Sequence, residues 1–301
     1  MNSRETERAL AHIHKYVGRH HTQPTLDQLR RSYDAVGDDL AVQAQTEFTR
    51  CMHAGLPAEW VDAVGARQDA AVLFFHGGGY MVGSAKGYRS LTSAISSAAG
   101  ARCLGVDYRL APEAPFPAAV QDAVGAYRSL IDAGYKPNRI ALAGDSAGGG
   151  LVVATMLAAR AEGLPMPAAG YAMSPWFDLE GSSESVTQNA ASDPVMTSAG
   201  AKGCAQVYLR GADVRDPLAS PVNADLRGLP SLLLQVSSTE ILLDDSIRLA
   251  RNAALIGVHV DLQVWPDMFH VWQRFVPVLR AAAQAVEQGG AFIGCHFAPQ
   301  S

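Results

Sequence analysis

Residues 139–150 read RIALAGDSAGGG. The stretch begins with a short apolar run, turns at Gly144-Asp145-Ser146-Ala147-Gly148 and continues into an apolar helical pattern over 147–162. Continuous apolar runs bounded by turn residues are typical of buried parallel strands. A strand, a sharp glycine-bearing turn with a central serine, and a helix are the context that a nucleophile elbow requires. Ser146 is therefore the candidate nucleophile.

The same alternation of strand-like and helix-like stretches runs through most of the chain. Further apolar runs, predicted to be strands, lie at 71–75, 103–106, 168–173, 232–236 and 258–265. Helical patterns cover 87–99, 116–133, 241–256 and 272–287. This order predicts an α/β fold with a mostly parallel central sheet and helices on both faces. Residues 58–66 alternate weakly and are predicted to form a hairpin with 71–75.

Two regions fall outside this alternation. Residues 1–50 have a helical pattern of modest apolarity, and residues 176–225 are rich in Ser, Ala, Asp and Pro, with helical pieces near 195–210. Long insertions in compact domains are often functional covers over a site. We expect 1–50 and 176–225 to form a helical cap over a core made of 51–175 and 226–301.

Composition and charge exclude several classes of protein. Hydrophobic residues make up 48% of the 301 residues and charged residues 18%, which argues against disorder. The net charge of −5 argues against a nucleic-acid-binding surface. No apolar run has membrane-spanning length, and the charged N-terminus lacks the apolar stretch of a signal peptide. Four scattered cysteines without a CxxC pair favour reduced thiols over disulfides or a zinc site. A cytoplasmic location is expected.

A second glycine-rich motif follows the strand at 71–75. It reads His76-Gly77-Gly78-Gly79-Tyr80. Glycines allow the backbone to approach a reacting carbonyl, and N–H groups aimed at its oxygen stabilise the negative charge that develops there. Gly78, Gly79 and Ala147 are the candidate donors, and His76 is expected to anchor the loop. The motif lacks the lysine and the spacing of a phosphate-binding loop.

A histidine and a carboxylate are the remaining parts of a hydrolytic site. His270 follows the final apolar strand, where the nucleophile-elbow topology places its base. The acid is expected in the loop after 232–236, where Glu240, Asp244 and Asp245 compete. The two aspartates fall where a helix begins, and stabilisation of the helix terminus explains them. Glu240 is therefore favoured, with Asp244 kept as the alternative.

Together these motifs resemble the hormone-sensitive lipase family, also called the bacterial family IV esterases, over about residues 58–280. The matching segments are HGGGY at 76–80, DYRLAPE at 107–113, FPAA at 116–119, GDSAGG at 144–149, SPW at 174–176 and DMFH at 267–270. The resemblance implies an α/β-hydrolase fold, a helical cap and a carboxylesterase that needs no metal or organic cofactor.

The chain departs from the family at the acid. The commonest family motif there is Asp-Pro-Leu-x-Asp, whereas this sequence has Glu240-Ile241-Leu242-Leu243-Asp244. This is similar to a subset of the family whose acid is glutamate, which supports Glu240 and keeps Asp244 open.

The expected reaction is hydrolysis of short-chain acyl esters, a small-molecule substrate class. The cap segment is compact and carries bulky residues, among them Trp176 and Tyr208. These two residues, together with Tyr80 and Val271, are predicted to form the substrate pocket. A lactone hydrolase, a deacetylase of an acetylated natural product, and an amidase or peptidase would use the same residues. A non-catalytic receptor on a hydrolase fold, as in the plant gibberellin receptors, should have lost triad members.

The strand at 258–265 alternates apolar and polar residues, which suits the edge of a sheet. Because exposed edges can pair, a homodimer through this strand is a hypothesis. Neither nucleic acid nor membrane is expected as a partner.

Overall fold

The computed structural model describes residues 4–17 and 24–297 of the 301-residue chain. Within these ranges, eight strands form one sheet in the order β1-β2-β4-β3-β5-β6-β7-β8. Strands β3 to β8 pair in parallel, whereas β2 is antiparallel to β1 and to β4. The strands are β1 Glu47–His53, β2 Leu56–Asp62, β3 Arg67–Phe75, β4 Ala101–Val106, β5 Ile140–Asp145, β6 Ala169–Met173, β7 Leu232–Ser237 and β8 Val260–Trp265. The predicted mostly parallel sheet is confirmed.

Helices cover both faces of this sheet, as predicted. They are α1 Arg4–Val17, α2 Leu26–Asp38, α3 Arg89–Ala99, α4 Ala118–Asp132, α5 Ala147–Ala161, α6 Ser185–Gln188, α7 Ser198–Leu209, α8 Leu243–Ala254 and α9 Arg280–His296. Every residue of α5 from Ala147 to Ala159 is buried, which agrees with its apolar sequence. No helix in the described part of the chain has the length and apolarity needed to cross a membrane.

Successive side chains of β3 lie on opposite faces of the sheet and pack into the hydrophobic core on each face. Leu73 and Phe75 pack with residues of α4 and α5. Val72 and Phe74 pack on the opposite face, with residues of α3 and α9. All four side chains are fully buried, which is why residues 71–75 of β3 form a continuous apolar run in the sequence.

The hairpin predicted between residues 58–66 and 71–75 is wrong, because β2 pairs with other strands. β2 forms a hairpin with β1 through Ala54 and Gly55, and its other neighbour is β4 rather than β3. The sequence pattern predicts helix for residues 47–50 with the rest of 1–50, whereas the structure places them in β1. Because β1 lies at the edge of the sheet and is largely exposed, its sequence lacks the apolar run that reveals an inner strand.

The last helix begins later than predicted. Residues 272–275 form a short 3₁₀ turn, and α9 starts at Arg280 instead of continuing from 272. Pro277 lies between them, and the residue before a proline is disfavoured in a helix. At the other end of the chain, residues 1–3 and 18–23 of the region predicted to be helical lie outside the described residues.

The N-terminal helices pack against the loop that carries His270. Ala9 of α1 and Val36 of α2 share a buried cluster with Phe269, Trp272 and Phe275. Helices α1 and α2 therefore lie beside the carboxyl ends of the parallel strands, where ligands bind in open α/β sheets.

Candidate active site

Ser146 lies at the sharp turn between β5 and α5. Its backbone adopts φ +52° and ψ −119°, a conformation that non-glycine residues rarely take. A Cβ on Gly148 would lie 2.0 Å from the carbonyl oxygen of Phe75, and one on Gly144 would lie 2.4 Å from the carbonyl oxygen of Gly148. The Ser146 N–H donates to the Met173 carbonyl at 2.9 Å, which ties the turn to β6. The two motif glycines are therefore steric requirements of the elbow.

Ser146, His270 and Glu240 form a continuous line of hydrogen bonds. The Ser146 Oγ lies 2.9 Å from His270 Nε2, and His270 Nδ1 lies 2.7 Å from Glu240 Oε2. Because an ionised carboxylate only accepts hydrogen bonds, the proton lies on Nδ1 and leaves Nε2 free to accept from the serine hydroxyl. All three side chains are buried. The structure thus brings the predicted nucleophile, base and acid together.

The surroundings of Glu240 fix its orientation. Its Oε1 accepts hydrogen bonds from the Ser174 hydroxyl at 2.8 Å and from the Ser237 N–H at 2.7 Å. Both carboxylate oxygens therefore have partners, which offsets the cost of burying this charge.

Two opposing effects act on the pKa of His270. Burial lowers the pKa because it disfavours the charged imidazolium, whereas the hydrogen bond and the negative charge of Glu240 raise it. Burial is the largest single effect, but the hydrogen bond and charge of Glu240, together with the negative charges of Asp193 and Asp145, outweigh it, so the pKa lies above the ordinary value of 6.5.

The neighbouring aspartates serve other contacts. Asp244 Oδ2 accepts from the Ser185 N–H at 2.8 Å, and Asp245 Oδ2 accepts from the N–H groups of Phe177 and Asp178. Both carboxylates hold the segment that follows β6, and it is Glu240 rather than Asp244 that contacts His270. Burial raises the pKa of Asp245 well above its ordinary value.

The glycine loop after β3 presents N–H groups beside Ser146. Gly78 and Gly79 have φ values of +114° and +60°, which glycine adopts readily. Among the described residues, the N–H groups of Gly78, Gly79 and Ala147 have no hydrogen-bond acceptor. Gly78, Gly79 and Ser146 line one cavity, so the predicted oxyanion donors lie next to the predicted nucleophile.

His76 anchors this loop, as predicted. Its ring stacks on Tyr108 with centroids 4.4 Å apart, and its Nδ1–H donates to the Gly77 carbonyl at 2.8 Å. Burial lowers the pKa of His76 to about 4, which keeps the imidazole neutral.

A second hydrogen-bond chain connects the loop to α2. Asp145 accepts from the Gly77 N–H at 2.9 Å and from the Tyr88 hydroxyl at 2.8 Å, and the hydroxyls of Tyr88 and Tyr33 are 2.8 Å apart. Burial raises the pKa of Asp145 to about 6. Sequence reasoning missed Tyr33 and Tyr88, because nothing in their local pattern indicates that they meet Asp145.

Ser146 opens into a cavity of about 500 Å³. Of the four predicted pocket residues, Trp176 and Val271 line it. Tyr80 and Tyr208 do not, because their rings stack on each other with centroids 3.8 Å apart and are buried between α7 and the glycine loop. Other lining residues, which sequence reasoning did not find, include Ile13, Tyr33, Met196, Cys204, Arg274 and Phe275.

The wall that carries Met196 is tied to the loop that carries Glu240. Asp193 accepts from the N–H groups of Val195 and Met196 through one oxygen and from the Ile241 N–H through the other. Asn189 donates to the carbonyls of Glu240 and Ser238. The segment before α7 is thus held against the candidate acid.

Comparisons with known proteins agree with this geometry. Residues 72–274 match the family described as "alpha/beta hydrolase fold". The chain is 48% identical over 237 residues to an acetyl-hydrolase of Streptomyces hygroscopicus, covering 78% of this chain and 79% of that protein. It is 34% identical over 267 residues to an esterase of Acinetobacter venetianus, covering 88% of this chain and 85% of the relative.

Solved structures extend the similarity to nearly the whole chain. An esterase from the bacterial hormone-sensitive lipase family is 46% identical and superposes with a TM-score of 0.95, over 99% of this chain and 100% of the other.

Proposed function

The chain belongs to the bacterial hormone-sensitive lipase family of α/β hydrolases, and we propose that it hydrolyses short-chain acyl esters through a covalent acyl-enzyme on Ser146. Family membership assigns it to the carboxylic ester hydrolases. The observation that supports these catalytic roles best is the hydrogen-bonded line from Glu240 through His270 to Ser146.

In the proposed mechanism, the Ser146 Oγ attacks the ester carbonyl while His270 Nε2 takes the hydroxyl proton. The N–H groups of Gly78, Gly79 and Ala147 hold the oxyanion of the tetrahedral intermediate. The intermediate expels the alcohol, which receives its proton from His270, and the acyl group remains on Ser146.

Deacylation repeats these steps with water. His270 deprotonates the water that attacks the acyl carbonyl, and then returns the proton to the Ser146 oxygen as the carboxylic acid leaves. In both halves Glu240 holds the Nδ1–H tautomer and stabilises the imidazolium that forms. The mechanism requires no metal or organic cofactor.

The size of the cavity supports a preference for short acyl chains. Its walls come from α1, α2, the segment 194–204 and the loop after β8, and enclose about 500 Å³. An apolar chain gains roughly 0.8 kcal/mol for each buried CH₂ until the space is full. We propose that helices α1 and α2 of the N-terminal region act together with residues 176–225 as the cap, since both contribute to these walls, whereas residues 47–50 belong to β1 of the core sheet.

Deacetylation of an acetylated natural product is a second candidate. The Streptomyces hygroscopicus relative, at 48% identity, is an acetyl-hydrolase. An acetyl ester lies at the short end of the acyl series, so this activity would use the same residues.

The proposal includes a homodimer through the edge strand at 258–265, and a cytoplasmic location. β8 is the terminal strand of the sheet, and Val264 on β8 and Leu255 and Ile256 after α8 are exposed apolar side chains. Light scattering tests the dimer, and a monomeric mass at assay concentration contradicts it.

The function is tested with chromogenic esters from acetate to dodecanoate. The wild type should be most active on the short esters, and Ser146→Ala should lose on the order of 10⁶-fold in kcat. Ser97→Ala, at an exposed position of α3, is the matched control and should keep full activity. A tenth of the wild-type turnover in Ser146→Ala would overturn the assignment of the nucleophile.

A further inference from the structure

A buried arginine lies on the wall of the cavity that contains Ser146. Arg274 is 6% exposed and belongs to the 3₁₀ turn that follows the His270 loop. The described residues that line this cavity include the basic residues Arg274 and His14 but no Asp or Glu. In a chain whose net charge is −5, the described lining of this cavity thus contains a guanidinium cation and no carboxylate.

The contacts of Arg274 leave much of its hydrogen-bonding capacity unused. The guanidinium lies over the rings of Tyr88 and Tyr33, 4.1 and 4.7 Å from their centroids. Its Nη2 donates to the Gly87 carbonyl at 3.2 Å. No carboxylate oxygen of the described residues lies within 4.0 Å of its nitrogens. Buried arginines are normally paired with an anion, so the arrangement is unusual.

The acidic groups that act on Arg274 lie more than 4.0 Å from its nitrogens, and Asp145 has other partners. Asp145 and Asp34 are the carboxyl groups that influence it at longer range. Asp145 already accepts hydrogen bonds from Tyr88 and Gly77. The remaining N–H groups of Arg274 are thus available to a ligand in the cavity.

We propose that Arg274 binds a carboxylate carried by the substrate, so that the preferred substrates are esters with a second, free acid group. The proposal rests on the ester hydrolysis proposed above and specifies its substrate class. The planar guanidinium fork matches a carboxylate, and such charge-assisted hydrogen bonds are strong where water is excluded. Ile13, Val36 and Phe275 supply apolar wall for the methylene chain between the two ends of the substrate.

Matched pairs of esters test this inference. One series contains ethyl hydrogen esters of the dicarboxylic acids from succinate to suberate. Each is compared with the same ethyl ester in which a primary amide replaces the free carboxylic acid. A second series contains acetate esters of ω-hydroxy acids with their amides. The first series carries the carboxylate on the acyl part and the second carries it on the alcohol part.

The measured quantity is kcat/KM for the carboxylate divided by that for its amide. In the wild type this ratio should exceed roughly tenfold for at least one chain length in one series, as for a charge-assisted pair. Arg274→Gln should lower the ratio at least tenfold, and Arg274→Lys, which keeps the charge but loses the fork, should give an intermediate value. Arg251→Gln, at an exposed position of α8, is the control and should leave the ratio unchanged.

A purely structural role for Arg274 gives a different result. If the guanidinium only supports Tyr88 and Asp145, Arg274→Gln changes both members of a pair equally and the ratio stays constant, which overturns the inference. A wild-type ratio near or below one in both series also overturns it, even if Arg274→Gln does not fold. If the amide-bearing esters are hydrolysed as well as their carboxylate partners, only this inference is contradicted. If no ester is hydrolysed, the proposed function is contradicted as well.

Discussion

At the scale of single residues, the candidate acid shows what sequence can and cannot decide. Glu240, Asp244 and Asp245 lie close together in one segment, and each is a carboxylate near a helix start. The motif favours Glu240 but leaves Asp244 open. Backbone turns decide which carboxylate faces His270, and the spacing of the residues does not reveal those turns. In the structure Glu240 contacts His270, whereas Asp244 contacts Ser185.

Conservative amides at the two positions should have unequal effects. Glu240→Gln should lower kcat by about 10⁴-fold, because an amide cannot stabilise the imidazolium and favours the wrong tautomer. Asp244→Asn, the matched control, should change kcat little, since among the described residues its carboxylate accepts the backbone N–H of Ser185 and does not contact His270. Steady-state kinetics on a short ester measures both, and a larger loss in Asp244→Asn would show that the acid is misassigned.

The dependence of activity on pH should reflect the interaction between His270 and Glu240. His270 must be neutral to act as the base, so kcat/KM should fall as the pH drops through its pKa, with a midpoint above 6.5. In Glu240→Gln, burial acts without the opposing carboxylate, so the midpoint of the residual activity should move to lower pH. A midpoint that does not respond to Glu240→Gln would contradict this electrostatic account.

At the scale of elements, the strand–elbow–helix unit was predictable because its constraints are local. The apolar run of β5, the glycines of the turn and the buried α5 are all contiguous in sequence. The hairpin and the last helix were predicted wrongly for the opposite reason. β1 has no buried face to reveal it, and the start of α9 is shifted by Pro277.

The steric demand of the elbow can be measured on a matched pair of glycines. Gly148→Ala places a Cβ 2.0 Å from the Phe75 carbonyl oxygen and should cost about 1–3 kcal/mol or more of stability. Gly125→Ala, within α4 and with nothing near its Cβ, should instead stabilise by about 0.5–1 kcal/mol. Urea midpoints of both variants test this, and equal midpoints would refute the packing described for the turn.

At the scale of the whole molecule, the substrate cavity is assembled from segments far apart in sequence. α1, α2, the segment before α7 and the turn after His270 all contribute to it. Trp176 and Val271 adjoin catalytic motifs, so sequence could place them there. Tyr80 and Tyr208 also looked suitable, but their rings pack on each other across two elements, and only the tertiary structure reveals this contact.

The preferred length of the acyl chain should distinguish Trp176, which lines the cavity, from Tyr208, which does not. Trp176→Ala enlarges the cavity and should move the optimum of the acyl series to longer chains. Tyr208→Ala should leave the optimum in place but destabilise the fold by roughly 3 kcal/mol, as for other buried aromatic residues. Thermal unfolding and the ester series give both readouts, and a wild-type optimum at dodecanoate would show that the cavity does not limit the chain.

The central claim is that Ser146 is acylated during turnover, and covalent trapping tests it most directly. A chromogenic organophosphonate ester should add a single group per chain, and mass spectrometry of the peptides should locate it on Ser146. Release of the chromophore should match the loss of esterase activity, and Ser146→Ala should not react. A label on another residue, or full activity after labelling of Ser146, would contradict the account.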